Sequence, residues 1–293
     1  RPRSGVIHDA SVPKRYRFDV LRSGDFAEAD RALKGVTEDM EDGDRDDAAR
    51  MREELTNNYI RLQVVALTNA NLDPATRDIA AAIRPNTALV SVMHANNETG
   101  AIQPVKEISE IAKRHGALFH CVAVQAAGRI PLDITGIDFL TLSAHKLGGP
   151  QGVGALVLGL CGITPSWLDG GGQEKKARAG TENVAGIMGF GMAAESASNN
   201  LTAYQKLKTL RDKLETSLKK LAPEIIIHSS ETDRIVNTTM FSLPGAKSET
   251  LLMSFDLEGI AVSTGSACTS GDPEPSPVLL AMGIAREWAL GGL

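Results

Sequence analysis

The chain has 293 residues, of which 42% are apolar and 23% are charged. This size and apolar share fit one large or two modest globular domains and exclude wholesale disorder. The net charge of -5 excludes the electrostatic footprint of a nucleic-acid-binding protein, and no apolar run approaches the roughly 20 residues of a membrane span. Three scattered cysteines suggest neither a disulfide framework nor a bound metal, so we expect a reducing compartment such as the cytoplasm.

Residues 1–59 are atypical, and their acidic stretch at 38–47 is typical of a solvated surface. A regular pattern of apolar residues begins near residue 60. Beyond it, short β-branched apolar runs alternate with segments of helical period. This alternation predicts an α/β fold built on a mostly parallel sheet. The predicted strands are 60–67, 88–93, 117–122, 137–142 and 153–158, and the predicted helices are 74–83 and 105–114.

The last third of the chain has a second pattern. Residues 183–221 predict a long helical region. The segments after it predict strands at 224–228, 236–243 and 260–263 and a helix at 248–257. We therefore expect a large α/β domain at 1–222 and a small α+β domain at 223–293.

A lysine follows the predicted strand at 137–142, in Ser143-Ala144-His145-Lys146, and a glycine-rich turn comes next. Parallel sheets bind ligands at the carboxyl ends of their strands, and lysine is rarely buried without a reason. A lysine kept away from water attacks an aldehyde and forms an imine. We expect Lys146 to be such a nucleophile, although the motif alone also fits an exposed loop lysine.

Cys268 lies among small residues, in the run Ser263 to Gly271. Buried structural cysteines usually lie in apolar elements. This setting favours a nucleophile carried on a moving loop over an incidental cysteine.

A glycine turn at 170–172 precedes Arg178 and Thr181. Backbone N–H groups in such turns bind anions, and arginine and threonine side chains add contacts to phosphate or carboxylate. A tight turn without a ligand is the alternative interpretation.

Four motifs occur in the chain in this order: Asn96-Asn97-Glu98-Thr99-Gly100, Ser143-Ala144-His145-Lys146, the run 170–183, and 263–270 followed by Glu274-Pro275-Ser276. Together they resemble the cysteine desulfurases of the NifS/IscS group, within the class-V aminotransferase family. The resemblance covers about residues 60–293 and implies the fold type I architecture of pyridoxal-phosphate enzymes. It implies a homodimer that binds pyridoxal 5'-phosphate and converts L-cysteine to L-alanine, leaving a persulfide on Cys268. The sulfur would pass to an iron–sulfur scaffold or another acceptor protein.

The resemblance also implies the catalytic roles. Lys146 would hold the cofactor and later move protons at the substrate carbon. His145 beside it would assist with the phosphate or with protons. Cys268 would attack the substrate sulfur, with the thiolate as the reactive form.

The cofactor and substrate contacts follow from the same resemblance. Ser143 would bind the cofactor phosphate, and Gln125 would bind its phenolic oxygen. Thr181 would reach the phosphate held by a partner subunit. Asn97 would contact the substrate carboxylate, and Arg178 is the second candidate substrate-binding residue.

The sequence departs from this family at several positions. In His120-Cys121-Val122, the valine stands where the family has an aspartate that pairs with the nitrogen of the cofactor ring. Valine cannot accept a hydrogen bond, so we expect weak cofactor binding and slow turnover. Residues 1–59 lack the family's phosphate-binding threonine and ring-stacking histidine, and we expect its carboxylate-binding arginine beyond Leu293. A catalytically impaired homolog that acts as a binding or scaffold subunit is therefore one alternative. A selenocysteine lyase, which shares the fold and the lysine, is the other.

Overall fold

The central element is a four-stranded sheet with the strand order β1-β2-β3-β4. The computed structural model of the chain describes residues 72–159, 168, 170–264 and 275–293, so the predicted strand at 60–67 lies outside them. Strands β1, β2 and β3 run parallel, and β4 is antiparallel to β3. The mostly parallel sheet predicted from the sequence is therefore confirmed. The strands are β1 (Leu89–Met93), β2 (Leu118–Val122), β3 (Phe139–Ser143) and β4 (Gly154–Leu158).

The core of the large unit lies on one face of this sheet. Strands β1 and β2 bury alternate residues, as expected for strands with one face on the core. Phe119 and Cys121 of β2 are fully buried there. Two helices, α1 (Leu72–Ala82) and α2 (Val105–Arg114), pack on each other, and α2 contacts both strands. Helix α2 buries Val105, Ile108, Ile111 and Ala112.

The end of helix α2 shows why its bounds were predictable. Gly116 has a φ of +72°, a left-handed conformation that glycine adopts without strain. Its N–H donates to the Lys113 carbonyl, and the Ala117 N–H donates to the Ala112 carbonyl. The chain then enters β2 directly.

The helical region predicted at 183–221 consists of three helices. Asn183 begins the first by accepting a hydrogen bond from the Gly186 N–H through its side chain. Breaks at Asn200 and Lys206 separate the helices. They are α3 (Val184–Asn199), α4 (Leu201–Gln205) and α5 (Leu207–Leu221). Within the described residues, no helix is both long and apolar enough to cross a membrane.

The C-terminal part forms a small α+β unit with its own apolar cluster of Met240, Leu279 and Ala289. Its predicted strands are much shorter in the structure than in the prediction. The elements are β5 (Ile226–Ile227), antiparallel to β6 (Phe241–Ser242), then α6 (Ser248–Leu257), α7 (Pro277–Ala281) and α8 (Arg286–Ala289).

The predicted strand at 260–263 is wrong. The Ile260 N–H donates to the Phe255 carbonyl, which closes the end of α6 instead of starting a ladder. The Ile260 side chain is 49% exposed, so it lacks the burial that its apolar character suggested. Among the described residues, no strand pairs with this segment.

His228 gives the small unit a pH-dependent stability. Its Nε2 is hydrogen-bonded to Ser242 Oγ at 2.7 Å, and both side chains are buried. Desolvation lowers the pKa of His228 from 6.5 to about 4. The unfolded chain therefore takes up the proton first as the pH falls, and this contribution to the free energy of unfolding is lost between about pH 6.5 and pH 4.

We expect the free energy of unfolding to fall by about 2 kcal/mol from pH 7.5 to pH 4.5 through His228. Urea unfolding of the chain and of His228→Asn at both pH values measures this contribution, because asparagine does not titrate. The variant should lose less stability on acidification than the parent. His115→Asn, at the exposed end of α2, is the matched control. Equal pH dependence in parent and His228→Asn would contradict the assignment.

Candidate active site

The candidate site lies at the carboxyl ends of the three parallel strands. Because β1, β2 and β3 are adjacent and parallel, the segments that follow them emerge at the same edge of the sheet. Asn97 comes soon after β1. Val122 ends β2, and Gln125 follows it. Ser143 ends β3, and Lys146 lies in the 3₁₀ helix Ala144–Leu147 that comes next.

The loop after β1 is held in one conformation by Asn96. Its Oδ1 accepts hydrogen bonds from the backbone N–H groups of Glu98 and Thr99, each at 2.9 Å. The Gly100 N–H donates back to the Asn96 carbonyl. Gly100 has a φ of +76°, and a Cβ there would lie 3.1 Å from Thr238 Cβ. This loop exposes Asn97, the candidate substrate-binding residue, while the residues around it are buried.

The same loop is hydrogen-bonded to the small unit through the buried carboxyl group of Glu98. Ser276 donates a hydrogen bond from its Oγ to Glu98, across 178 residues of sequence. Ser276 also caps α7, because its Oγ accepts from the Leu279 N–H. Both side chains are buried, and desolvation raises the pKa of Glu98 although the bond from Ser276 opposes the rise.

The turn after β3 brings a hydroxyl and an imidazole together. Ser143 Oγ and His145 Nδ1 are 2.9 Å apart and share a hydrogen bond. When the Nδ1–H of His145 donates to the serine oxygen, the serine O–H is free to donate to an anion. Lys146 and His145 are exposed.

The expected burial of Lys146 is therefore wrong. The 3₁₀ helix buries only Ala144 and ends at Gly148, whose φ is +84°. The lysine stands beyond the end of the strand, where it is in contact with water. Its amine is accessible to a ligand.

Val122 is the last residue of β2, and Gln125 lies three residues after it. Both are half-buried. Val122 pairs with Met93 on one side and with Thr141 on the other, so its apolar side chain stands in the middle of the edge. Its carbonyl accepts a hydrogen bond from the His94 N–H at 3.0 Å.

Arg178 and Thr181 are not joined to this edge by any hydrogen bond between described residues. The Arg178 guanidinium donates to the neighbouring Ala179 carbonyl at 3.1 Å. The backbone of Arg178 forms an isolated parallel β-bridge with Leu168. Thr181 is exposed. Cys268 lies outside the described residues.

Polar groups near the edge that the sequence did not single out include two histidines. The His94 ring is buried, its Nδ1 has no hydrogen-bond partner among the described residues, and burial lowers its pKa. His120 links three strands, because Ser91 Oγ lies 2.8 Å from its Nδ1 and Thr141 Oγ1 lies 2.6 Å from its Nε2. The available signals were a histidine within one apolar strand, His120, and a histidine directly after another, His94.

Arg129 was also missed. It follows Gly128 in a turn of small residues and lies close to the candidate residues in space. A single charged residue in such a turn is a weak signal, since its partners lie up to 76 residues away in the sequence.

A family model, aminotransferase class-V, matches residues 49–286. Among curated proteins, a cysteine desulfurase IscS of Dictyoglomus turgidum is 42% identical over 219 residues, which cover 74% of this chain and 56% of that protein. A cysteine desulfurase of Trichormus azollae is 46% identical over 210 residues, which cover 71% of this chain and 52% of that protein. The chain thus spans about half the length of the curated relatives it matches.

Solved structures agree with the sequence relatives. A NifS-like protein from Rickettsia africae superposes with a TM-score of 0.68 at 37% identity, covering 82% of this chain and 66% of that one. A second NifS-like protein gives a TM-score of 0.66 at 35% identity, covering 74% and 57%. These neighbours confirm the fold type I architecture expected from the sequence. With the family model matching most of its length, the chain belongs to the aminotransferase class-V family.

Proposed function

We propose that this chain carries the active site of a cysteine desulfurase that uses pyridoxal phosphate. The observation that supports this most is the set of groups at one edge of the sheet. An amine, a hydroxyl–imidazole pair, a carboxamide and the Asn97 loop all follow adjacent parallel strands. The names of the curated relatives point to the same activity.

The groups at this edge suit pyridoxal phosphate, the cofactor of the family, at most of its polar atoms. The Lys146 amine suits the aldehyde, Ser143 with His145 suits the phosphate, and the Gln125 carboxamide suits the phenolic oxygen. These side chains are exposed or half-buried, so they are accessible to a ligand. The ring nitrogen is the exception, because Val122 offers it no acceptor.

The proposed mechanism assigns each step to residues of this chain. When bound, pyridoxal phosphate supplies an electron-withdrawing ring that stabilises negative charge on the substrate α-carbon. Asn97 orients the substrate carboxylate, and the Lys146 amine removes the proton from the α-carbon and returns a proton later.

Sulfur transfer needs no external oxidant. The Cys268 thiolate attacks the substrate sulfur, an S–S bond forms, and the bond between sulfur and the β-carbon breaks. The electron pair of the broken bond stays with the carbon skeleton, which takes up a proton and leaves as L-alanine. The persulfide on Cys268 is then available to a sulfur-acceptor protein, such as an iron–sulfur scaffold.

The function is tested by adding pyridoxal phosphate and then L-cysteine to the purified chain. We expect a visible absorption band that changes on addition of L-cysteine, together with release of L-alanine. Equal turnover of L-selenocysteine without a persulfide would instead indicate a selenocysteine lyase. Absence of both the band and L-alanine would contradict the proposed activity and favour a binding subunit.

We further propose that the chain forms a homodimer through helix α3. Val184, Met188 and Met192 are spaced four residues apart on one face, and each is more than 60% exposed. An exposed apolar ridge of this kind is typical of a protein interface, and a second copy covers it with the same residues across a twofold axis. Thr181 lies just before the ridge, as a contact to a partner subunit's site requires.

Sedimentation velocity tests this proposal. We expect a species of about twice the 31.1 kDa chain, and Met188→Lys should shift it towards the monomer. Met253→Lys is the matched control, because Met253 is 65% exposed on a different helix, α6. A monomeric parent chain, or equal dissociation in both variants, would contradict the assignment.

Two broader features belong to the same proposal. The division into domains at residue 222 is supported by the separate apolar cluster of the C-terminal unit. A cytoplasmic location is supported by the cysteine usage and by the reactive thiol that the proposed activity requires.

A further inference from the structure

Arg129 connects two of the candidate site residues through their backbones. Its guanidinium Nη1 donates to the Gln125 carbonyl at 2.9 Å, and its Nη2 donates to the Lys146 carbonyl at 3.1 Å. Its Nε donates to the Tyr204 hydroxyl at 3.1 Å. The segment after β2, the turn after β3 and helix α4 therefore meet at one side chain.

The backbone around Arg129 is itself fixed. The Arg129 N–H donates to the Ala126 carbonyl, and Gln205 donates from its side chain to the Arg129 carbonyl at 2.7 Å. Gly128 has a φ of +70°, and a Cβ there would lie 2.8 Å from Leu147 Cδ2. The turn that carries Arg129 thus packs directly on the helical turn that carries Lys146.

The turn around Lys146 depends on such support. It is a single 3₁₀ turn with an exposed lysine, and only Ala144 in it is buried. The turn packs on helix α3, but burial of its own side chains does little to hold the Lys146 backbone in place. A hydrogen bond from a charged donor to the Lys146 carbonyl is stronger than one from a neutral donor.

We propose that Arg129 is a positioning residue for the proposed reaction, because its guanidinium fixes the Lys146 turn relative to Gln125. The inference rests on the proposed function, because in that function Lys146 and Gln125 bind different atoms of one cofactor. Lysine cannot replace Arg129 in this role. Its single amine lacks the planar fork that reaches separate acceptors on three elements.

Arg129→Lys is the main test variant, and Arg114→Lys, at the exposed end of α2, is the matched control. Tyr204→Phe is a milder variant that removes only one of the acceptors. Hydrogen–deuterium exchange of the chain without cofactor is measured first. We expect exchange across residues 144–149 to be about 10-fold faster in Arg129→Lys, and unchanged in α2 and in the control.

Cofactor binding and turnover are measured next. Titration with pyridoxal phosphate, followed by absorption, should show about 10-fold weaker binding in Arg129→Lys and a smaller loss in Tyr204→Phe. At saturating cofactor, kcat for L-cysteine should fall about 10-fold or more, with little change in KM, because the misplaced group acts after substrate binding.

The outcomes separate the inference from the proposed function. Unchanged hydrogen–deuterium exchange at 144–149 in Arg129→Lys would show that Arg129 does not fix this turn. It would overturn the inference whether or not the cofactor binds. Faster exchange with unchanged cofactor affinity and unchanged kcat overturns the positioning role. A parent chain that binds no pyridoxal phosphate overturns the proposed function and with it the positioning role, and Arg129 is then a structural brace alone.

Discussion

Replacing Lys146 with alanine is expected to abolish the visible absorption band and to lower the release of L-alanine by at least about 10³-fold. In the proposed mechanism the Lys146 amine both bonds to the cofactor aldehyde and moves the proton at the substrate carbon. No other described lysine lies in a segment that follows β1, β2 or β3 at this edge. Absorption spectra with pyridoxal phosphate, then L-cysteine, measure the first effect, and amino-acid analysis measures the second.

The control for this prediction is Lys113→Ala. Lys113 is exposed in the last turn of α2, so this variant removes an accessible amine without touching the edge of the sheet. It should keep the parent's band and turnover. A band of equal strength in Lys146→Ala would show that the cofactor bonds elsewhere.

The second large effect is an increase in cofactor affinity and turnover. Replacing Val122 with aspartate should tighten cofactor binding and raise turnover by about 10²- to 10³-fold. Val122 ends β2 in the middle of the edge, and the family resemblance places an acidic partner of the ring nitrogen at this position. A carboxylate there would pair with the protonated nitrogen and would keep the ring an electron sink.

Val122→Asn separates charge from shape in this experiment. Asparagine matches aspartate in size but carries no charge, so it should give much less of the gain. Titration with pyridoxal phosphate and the L-alanine assay are made on parent and both variants, with thermal unfolding as a check of folding. Lower affinity and lower turnover in Val122→Asp would refute the proposed alignment of this position with the ring nitrogen.

The sheet and its helices were predictable because their signals are local. Helix α2 begins and ends where the apolar period and Gly116 predict, and α6 has the predicted bounds. The strand predicted at 260–263 failed for a physical reason. An apolar run becomes a strand only when another strand pairs with it, and pairing is a property of the fold and not of the run.

The candidate site was predictable in position but not in detail. The rule that ligands bind at the carboxyl ends of parallel strands predicted the position of Lys146, and the structure places Asn97 and Gln125 at the same edge. The rule did not predict that Lys146 is exposed, because the exposure depends on the direction in which a single 3₁₀ turn continues from the end of β3. The contacts of Arg129 and Ser276 join residues far apart in sequence, so no local pattern contains them.

The deep burial of Cys121 in β2 has a consequence for chemical labelling. Desolvation raises the pKa of this thiol to about 12, so almost none of it is a thiolate at pH 7. Alkylating agents react with the thiolate, and they reach this sulfur only when the strands around it separate. The alkylation rate of Cys121 at a range of urea concentrations therefore reports the free energy of opening the centre of the sheet.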